Sequence, residues 1–321
     1  MQISVEPWPL KQPFQITGYT FTEVELVYVT IRDGDHVGHG EGAGVYYLQE
    51  TGAGIVAQIE AVRDAVLQGV TREDLLRLLP AGGARNALDC ALWDLESKQA
   101  GRRVWSLLHM TVQPVTTVNT VGIASPEQMA AAARALDTDR IKVKLSAEEP
   151  LQRISAVREA RPDAEIVVDV NAGWTFAQLK KLAPQFRDLG IAMIEQPLPR
   201  GADAELEGYN PPLPLCADES CLDTTEFDQA ARRYQMINIK LDKTGGLTEA
   251  LRLADLARQR GIGLMVGNMV GTSLAMAPGF VVAQLCRFVD LDGALFLTRD
   301  RDNAMNYEGG VVMPPEVELW G

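Results

Sequence analysis

Seven polar residues recur at nearly regular intervals in the second half of the chain, each close to the end of a short apolar run. In chain order they are Lys144, Asp169, Glu195, Asp218, Lys243, Asn268 and Asp292, with 23 to 26 residues between consecutive members. The carboxyl ends of the strands of a closed parallel sheet meet at one rim, where barrel enzymes keep their active sites. The spacing therefore predicts one site, in which two lysines flank three carboxylates.

The three carboxylates, Asp169, Glu195 and Asp218, indicate a metal site. Carboxylates that converge without a cation repel one another, and one of them must then take up a proton. An all-oxygen ligand set suits Mg²⁺ or Mn²⁺ better than zinc. We therefore predict that they bind Mg²⁺, one ion per subunit, with Mn²⁺ as an alternative. A single aspartate would more simply be a helix N-cap, but that interpretation explains three at equal spacing poorly.

Two lysines, Lys142 and Lys144, occupy alternate positions of one apolar run. Alternate residues of a strand point to the same face, so both are expected to face the barrel interior. The alternative, an outward-facing pair, would place Ile141 and Val143 inside. A buried lysine without a partner costs on the order of several kcal/mol, so stability alone would not select this pair. A lysine beside a second ammonium group loses its proton more easily, which makes it a usable base near neutral pH.

The first 110 residues are predicted to form an α+β capping domain. The run 23–32 (EVELVYVTIR) is rich in β-branched and aromatic residues, and Asp33-Gly34 follows it as a hairpin signal. Helical spacing of apolar residues follows, with one wholly apolar face in 84–95. Thr71 and Asp74 have the form of a capping box at a helix start.

Residues 111–300 are predicted to form a parallel β/α barrel, because short apolar runs alternate there with amphipathic segments. The predicted strands are 115–121, 140–145, 165–171, 191–196, 213–218, 236–241, 262–268 and 287–292. Capping-box patterns at Ser125 and Thr175 start two of the intervening helices. Eight such strands are the number that closes a barrel. The alternation stops after residue 300, and 301–321 is predicted to fold back onto the cap.

Composition restricts the classes of partner. The formal net charge of −13 argues against nucleic acid and anionic membranes, which favour basic surfaces. No apolar stretch approaches the length of a membrane span, and the N-terminus lacks a secretory pattern, so a cytoplasmic protein is expected. The four cysteines have no C-x-x-C spacing and are interpreted as reduced thiols. The charge does not identify a substrate. The partner expected from the predicted site is a small molecule, and a homo-oligomer stays open.

Several short motifs occur in a fixed order over nearly the whole chain. They are RNALDCALWDLESKQAG (85–101), KVK (142–144), DVN (169–171), EQP (195–197), ADES (217–220) and IKLDKTGG (239–246). On these motifs the chain resembles the enolase superfamily, specifically its muconate-lactonizing-enzyme subgroup. The resemblance implies an α/β fold, a (β/α)₇β modified TIM barrel closed by an α+β capping domain. It also implies that Mg²⁺ holds a substrate carboxylate while a base removes the α-proton to give an enediolate.

The resemblance also implies roles for single residues. Lys144, the second lysine of KxK, and Lys243, the second lysine of KxxK, would be the two acid/base groups. Lys142 would polarise the substrate carboxylate and favour the neutral form of its neighbour. Glu219 would support Lys243 from behind, and Asn171 shares the strand face of Asp169.

The last predicted strand narrows the reaction. RFVDLDGALFL (287–297) resembles the D-x-D strand of dipeptide epimerases, in which two aspartates, here Asp290 and Asp292, bind the α-ammonium group of the substrate. A turn-forming role for Asp292, at its Asp-Gly pair, stays open. A muconate cycloisomerase is less favoured, because these aspartates would repel its dianionic substrate.

Two cap loops, 16–22 and 40–51, are expected to set the substrate side chain. Neither contains Lys or Arg, and Tyr19 and Tyr46 are predicted, with Asn268, to contact substrate. The predicted function is Mg²⁺-dependent 1,1-proton transfer at the C-terminal residue of an L,L-dipeptide, without specificity for Ala-Glu. The alternatives are an N-acylamino acid racemase or o-succinylbenzoate synthase-like enzyme and, from another class, a non-catalytic binding protein.

Overall fold

The computed structural model describes all 321 residues. The N-terminal part opens with an antiparallel sheet of three strands in the order β1-β2-β3: β1 (Gln2–Ile16), β2 (Tyr19–Asp33) and β3 (His36–Ala43). Five helices follow: α1 (Gly52–Ala61), α2 (Arg63–Leu67), α3 (Arg72–Leu78), α4 (Gly83–Ala100) and α5 (Val104–Leu107). The predicted capping box at Thr71 is confirmed, since its side chain and that of Asp74 each accept the backbone N–H of the other residue.

The long helix α4 packs closely on the sheet of the cap. Alternate residues of β2, Val27, Val29 and Ile31, are buried in the same apolar cluster as Ala87 and Leu88 of α4. Three alternate glycines of β3 permit the close approach: a side-chain carbon added at Gly40 would lie 2.0 Å from the carbonyl oxygen of Ala87, and Gly38 and Gly42 are equally crowded. The GxGxG pattern therefore fixes how near the helix lies to the sheet.

The second part is an eight-stranded parallel sheet that runs from β5 to β12 in chain order. After β4 (Val115–Thr116), its strands are β5 (Asn119–Val121), β6 (Arg140–Lys144), β7 (Glu165–Asp169), β8 (Ile191–Glu195), β9 (Leu215–Ala217), β10 (Met236–Lys240), β11 (Gly263–Gly267) and β12 (Phe288–Val289). The backbone N–H of Val118 donates to the carbonyl of Val289 at 2.8 Å, which joins the first strand to the last. All eight predicted strands are therefore present, and the predicted fold class is confirmed.

Helices cover six of the seven crossovers between these strands. They are α6 (Pro126–Ala135), α7 (Pro150–Ala160), α8 (Phe176–Asp188), α9 (Phe227–Arg233), α10 (Leu241–Thr244) with α11 (Leu247–Gln259), and α12 (Ser273–Ala283). The β8–β9 crossover contains only a 3₁₀ turn, Ala204–Leu206. The predicted capping boxes at Ser125 and Thr175 start α6 and α8.

Buried carboxylates attach the cap to the barrel at the N-termini of two barrel helices. Asp89 of α4 accepts hydrogen bonds from the backbone N–H (2.9 Å) and hydroxyl (2.6 Å) of Thr248 in α11. Glu41 of β3 accepts the same two groups of Thr272, the N-cap of α12, at 2.8 and 2.6 Å. Negative charge at a helix N-terminus is favourable, so these contacts hold the cap in one place over the barrel mouth.

The C-terminal segment contacts both parts of the chain. Its strands β13 (Tyr307–Glu308) and β14 (Val311–Val312) form a small antiparallel sheet with β4. Beyond them, the indole N–H of Trp320 donates to the carbonyl of Cys90 in α4 at 2.9 Å. The other end of 301–321 contacts the cap as well, because Arg301 Nη2 lies 2.8 Å from Glu41 Oε2 of β3. None of the helices combines the length and the apolar character needed to cross a membrane.

Candidate active site

A cavity of about 280 Å³ lies between the cap and the barrel mouth. The barrel contributes the polar side chains of Lys144, Asn171, Lys240 and Asn268 together with Met269 and Val270. The cap contributes mostly apolar and acidic residues: Phe14, Ile16, Phe21, Glu23, Val24, Glu25, Ala43, Gly44, Tyr46, Glu50, Thr51 and Gly52. The cavity thus joins the polar rim of the barrel to the two cap loops named above.

Both lysines of β6 point into the barrel. Lys142 is 1% exposed, and its ammonium nitrogen lies 2.7 Å from Asp290 Oδ2, 2.8 Å from Glu195 Oε2 and 3.0 Å from Asp169 Oδ2. Lys144 lies nearer the mouth, with its ammonium nitrogen 2.6 Å from Asp169 Oδ2. Burial opposes the charge of Lys142, but these carboxylates outweigh burial and hold its pKa well above the usual range. Lys142 is therefore a fixed cation inside the barrel.

The three carboxylates predicted as metal ligands end three consecutive strands. Asp169 and Glu195 are the last residues of β7 and β8 and are paired in register, and Asp218 directly follows β9. None of the three is exposed. Burial raises the pKa of Glu195, whereas at Asp218 the neighbouring ammonium groups outweigh burial and lower the pKa. The three side chains therefore share one desolvated, strongly charged environment.

The chemistry of this donor set fits a hard divalent cation. All the donors are oxygens, and two of them, Glu195 Oε2 and Asp218 Oδ1, are buried without a hydrogen bond, although a lysine nitrogen lies within 2.8 Å of each. As the side chains stand, no group of three His, Cys, Asp or Glu residues is gathered at one point, because lysine ammonium groups pair with the carboxylates instead. Metal binding by Asp169, Glu195 and Asp218 therefore remains a prediction.

The prediction that Lys243 is the second acid/base group does not agree with the structure. Its ammonium group is fully buried and donates to the carbonyl oxygens of Asp218 (2.6 Å), Asn238 (2.9 Å) and Cys221 (3.2 Å). The cause is local: β10 ends at Lys240 and the chain turns at once into α10, so a residue three positions later lies behind the rim. Lys243 does not line the cavity.

Lys240 lines the cavity in its place. Its ammonium nitrogen is 2.6 Å from Asp218 Oδ2, and the carboxylates outweigh burial to raise its pKa. The alternation of strand faces could have predicted this, because Asn238 and Lys240 are alternate residues of β10 and point to the same face. Asn238 points inward and donates to Glu195 Oε1 at 2.6 Å. Equal spacing along the chain and the KxxK motif both favoured Lys243, and neither takes account of where the strand ends.

Replacing Lys243 by methionine is expected to destabilise the fold. The change would leave three buried carbonyl oxygens without this donor and Asp218 without one of its two ammonium partners, and such losses cost about 3–5 kcal/mol. Urea unfolding followed by circular dichroism measures the difference. Lys180→Met, at an exposed position of α8, is the matched control and should change the free energy of unfolding by less than about 0.5 kcal/mol. If Lys243→Met keeps the wild-type stability but loses turnover, Lys243 takes part in the reaction and this interpretation is wrong.

Glu219 and Asn171 contact each other rather than Lys243. The amide of Asn171 donates to Glu219 Oε1 at 3.4 Å, and its carbonyl oxygen accepts from Lys144 at 3.2 Å. Burial, with the charges of Asp218 and Asp169, raises the pKa of Glu219 to about 8. The predicted support of Lys243 by Glu219 is therefore wrong, and both residues belong to the surroundings of Lys144 and the carboxylates.

Asp290 and Asp292 lie together where the last strand meets the first. Each is 5% exposed, and neither lines the cavity. Asp292 Oδ2 accepts the backbone N–H of Thr120 at 2.8 Å, and Asp290 binds Lys142. Burial, with the charge of Asp290, raises the pKa of Asp292 well above its usual value. Asn268 lines the cavity and donates its amide to the carbonyl of Asp290 at 2.6 Å.

Of the two tyrosines predicted to contact substrate, Tyr46 lines the cavity and Tyr19 does not. Tyr19 is 43% exposed, and its ring packs edge-on against Tyr46 with the centroids 4.5 Å apart. Phe21, on the same face of β2 as Tyr19, reaches the cavity instead. Tyr19 therefore supports the cavity wall from outside, because the hairpin turn at Gly18 carries it beyond the mouth.

Comparison with known proteins gives the family. Residues 1–109 match the "Mandelate racemase / muconate lactonizing enzyme, N-terminal domain" family, and residues 126–317 match "Enolase C-terminal domain-like". The chain therefore belongs to the enolase superfamily, in the branch of mandelate racemase and muconate lactonizing enzyme. This confirms the resemblance inferred from the motifs.

Two curated relatives act on amino acid derivatives. The L-Ala-D/L-Glu epimerase of Escherichia coli is 41% identical, over 97% of this chain and 98% of the relative. The N-acetyl-D-glutamate racemase of a Pseudoalteromonas species is 39% identical, over 92% and 95%. Such relatives agree with the predicted class of enzyme, an isomerase of the epimerase and racemase type.

Two solved structures have the same fold with ligands bound. An enolase family member from Agrobacterium tumefaciens, with bound sodium and L-Ala-L-Glu, has a TM-score of 0.97 and 43% identity, and the match covers 100% of this chain and 99% of the other. The dipeptide epimerase of Methylococcus capsulatus, in complex with Mg and L-Arg-D-Lys, has a TM-score of 0.89 and 30% identity over 98% and 96%.

Proposed function

We propose that this protein is a dipeptide epimerase in which Lys144 and Lys240 are the two acid/base groups. The observation that carries the proposal is their placement. The lysines end β6 and β10, which are four strands apart in a sheet of eight, so they face each other across the barrel, and both line the same cavity. Two groups on opposite sides of one Cα can remove a proton from one face and return a proton to the other.

In each direction of the epimerisation, one lysine acts as the base and the opposite lysine acts as the acid. One lysine, in its neutral form, takes the α-proton, and the electron pair of the C–H bond passes into the carboxylate to give an enediolate. The opposite ammonium group then delivers a proton to the other face, which inverts the centre and leaves the protein with the same number of protons. Asp169 and Asp218, each within 2.6 Å of one lysine, hold the two ammonium groups at the cavity.

Asp169, Glu195 and Asp218 are proposed to hold one Mg²⁺ per subunit, and Mn²⁺ is proposed to replace it. When bound, the metal would bind the substrate carboxylate and stabilise negative charge that develops during proton removal. Support comes from the all-oxygen donors, from their position between the two lysines and from the Mg complex of the Methylococcus relative. The cytoplasmic location and a homo-oligomer stay predictions of the sequence.

The free α-ammonium group of the dipeptide is proposed to bind at Asp290 and Asp292. Asp290 is already within 2.7 Å of Lys142, which weakens its attraction for a second cation, and neither aspartate lines the cavity as the side chains stand. This pairing favours a second candidate, an N-acylamino acid racemase, whose substrate carries no ammonium group. A muconate cycloisomerase is not favoured, because Asp290 and Asp292 would repel its dianionic substrate.

Incubation with L,L-dipeptides in D₂O with Mg²⁺ tests the proposal. We expect deuterium at the Cα of the C-terminal residue and formation of the L,D epimer, because both lysines exchange their protons with solvent. Mass spectrometry of a library of Ala-Xaa and Xaa-Ala dipeptides gives the readout. Absence of exchange throughout the library would contradict the proposal.

A matched set of N-acetyl amino acids separates the two candidates. A dipeptide epimerase should turn over a free dipeptide L-Ala-L-Xaa at least about tenfold faster than the matching N-acetyl-L-Xaa, because the N-acetyl compound lacks the ammonium group and one desolvated charge–charge contact is lost. Faster turnover of the N-acetyl compounds would favour the racemase and would show that the aspartates do not bind an ammonium group.

A further inference from the structure

The cap side of the active-site cavity combines an apolar wall with carboxylates that have no cationic partner. Phe14, Ile16, Phe21, Val24 and Tyr46 supply the apolar surface. The acidic residues are Glu23, Glu25 and Glu50, and the only cations lining the cavity are Lys144 and Lys240. Because both lysines and this wall line one continuous cavity, a side chain on the carbon between the lysines extends along the wall.

We infer that the wall selects an apolar side chain on the residue that is epimerised and rejects an acidic one. The inference rests on the proposed function, and it assigns Phe21 as the residue that recognises the side chain. It also distinguishes this chain from its Escherichia coli relative, whose name gives glutamate as the epimerised residue.

The aromatic residues of the wall hold one another in place. The rings of Phe21 and Tyr46 meet edge-on with centroids 5.5 Å apart, and Tyr46 packs edge-on against Tyr47 at 5.1 Å. Phe14 packs against Phe296 of the barrel part at 4.6 Å. Contact with such a fixed apolar surface favours substrate binding by about 0.8 kcal/mol for each methylene group that leaves water.

An acidic side chain would find no cation of its own in this cavity. Lys144 and Lys240 are each 2.6 Å from a buried carboxylate, Asp169 and Asp218, and are needed for proton transfer. Glu23 and Glu25 are exposed and form no ion pair, so on the cap side of the cavity a substrate carboxylate would meet like charge and no cation. A basic side chain of the substrate would gain little binding energy from these two glutamates, because exposed ion pairs contribute at most about 1 kcal/mol.

Four dipeptides test the wild-type preference: L-Ala-L-Leu, L-Ala-L-Ala, L-Ala-L-Lys and L-Ala-L-Glu. We expect the highest kcat/KM for L-Ala-L-Leu and the lowest for L-Ala-L-Glu. A higher value for L-Ala-L-Glu or L-Ala-L-Lys than for L-Ala-L-Leu would overturn the inference while the proposed function stands. If none of the four, nor any other dipeptide, is epimerised, both fall together.

Two sets of variants test the assigned residues. Phe21→Ala should lower kcat/KM about tenfold for L-Ala-L-Leu but less than about twofold for L-Ala-L-Ala, whose methyl group is too short to use the wall. Phe176→Ala, at another half-buried phenylalanine that does not line the cavity, is the matched control and should leave this ratio unchanged. Equal losses for both substrates in Phe21→Ala would show that Phe21 has only a structural role.

The double change Glu23→Gln with Glu25→Gln should raise kcat/KM for L-Ala-L-Glu about fivefold relative to L-Ala-L-Leu, because the like charges are removed. Both positions are exposed, so folding should not be affected. Glu159→Gln with Glu205→Gln removes the same charge at exposed positions elsewhere and should leave the ratio unchanged. An unchanged ratio in the first pair would contradict the rejection of acidic side chains by these glutamates.

Discussion

Replacing Lys240 by methionine is expected to lower kcat for epimerisation by a factor of at least about 10³, with the fold intact. General acid–base catalysis by one placed group contributes about 10²–10⁴, and inversion needs a proton donor on each face of the carbon. Lys240 is the only lysine of β10 that lines the cavity. Chiral chromatography of the product gives kcat, and circular dichroism checks the fold.

Deuterium exchange makes the test specific for a two-lysine mechanism. Lys240→Met should still exchange the α-proton of one epimer through Lys144, without inversion, and Lys144→Met should exchange the other epimer through Lys240. Lys180→Met, at an exposed position, should exchange and invert both epimers at the wild-type rate. Inversion at a normal rate in Lys240→Met would show that the second acid/base group lies elsewhere.

Replacing Glu195 by glutamine is expected to weaken Mg²⁺ binding at least about 100-fold and to abolish epimerisation. Even residues that only orient a metal ligand are worth about 10–100-fold in affinity, and this change removes the charge of a proposed ligand. Burial already raises the pKa of Glu195, so a neutral amide of the same shape should be tolerated in the apo protein. Isothermal titration with MgCl₂ measures the affinity without reference to activity.

Thermal unfolding provides an independent measure of the same site. At a Mg²⁺ concentration 100 times Kd the wild-type protein gains about 2.7 kcal/mol by mass action, which raises Tm by several degrees, whereas Glu195→Gln should gain almost nothing. Glu205→Gln, at an exposed turn, should respond like the wild type. Equal Mg²⁺ affinity in Glu195→Gln and wild type would exclude Glu195 as a ligand, and the three-carboxylate site with it.

Much of the barrel could be predicted from the sequence, because local patterns control strand formation. The eight apolar runs alternate with helical segments, two of which start with capping boxes, so the order and direction of the strands follow from short stretches of chain. The period of two also placed Lys142 and Lys144 on the interior face, where the structure has both. Asp169 and Glu195 end their strands for the same reason.

The second lysine shows where such patterns stop. Equal spacing and the KxxK motif selected Lys243, but the side chain that reaches the cavity is set by the residue at which β10 ends, and that is Lys240. A shift of three residues past the end of a strand moves a side chain from the mouth to a position behind the rim. Tyr19 was misplaced for a similar reason, since the hairpin turn carries it outside the wall that Phe21 and Tyr46 form.

The sequence by itself determined that two lysines flank three carboxylates on a barrel, because residue type and strand period are properties of single segments. Only the tertiary structure decided which lysine faces Lys144, which cap residues line the cavity and how Lys142 is shared between Asp290 and the carboxylates. These depend on distances between side chains that lie tens to hundreds of residues apart in the chain. Such distances are set by how β5 to β12 close and where the cap attaches, which no local pattern contains.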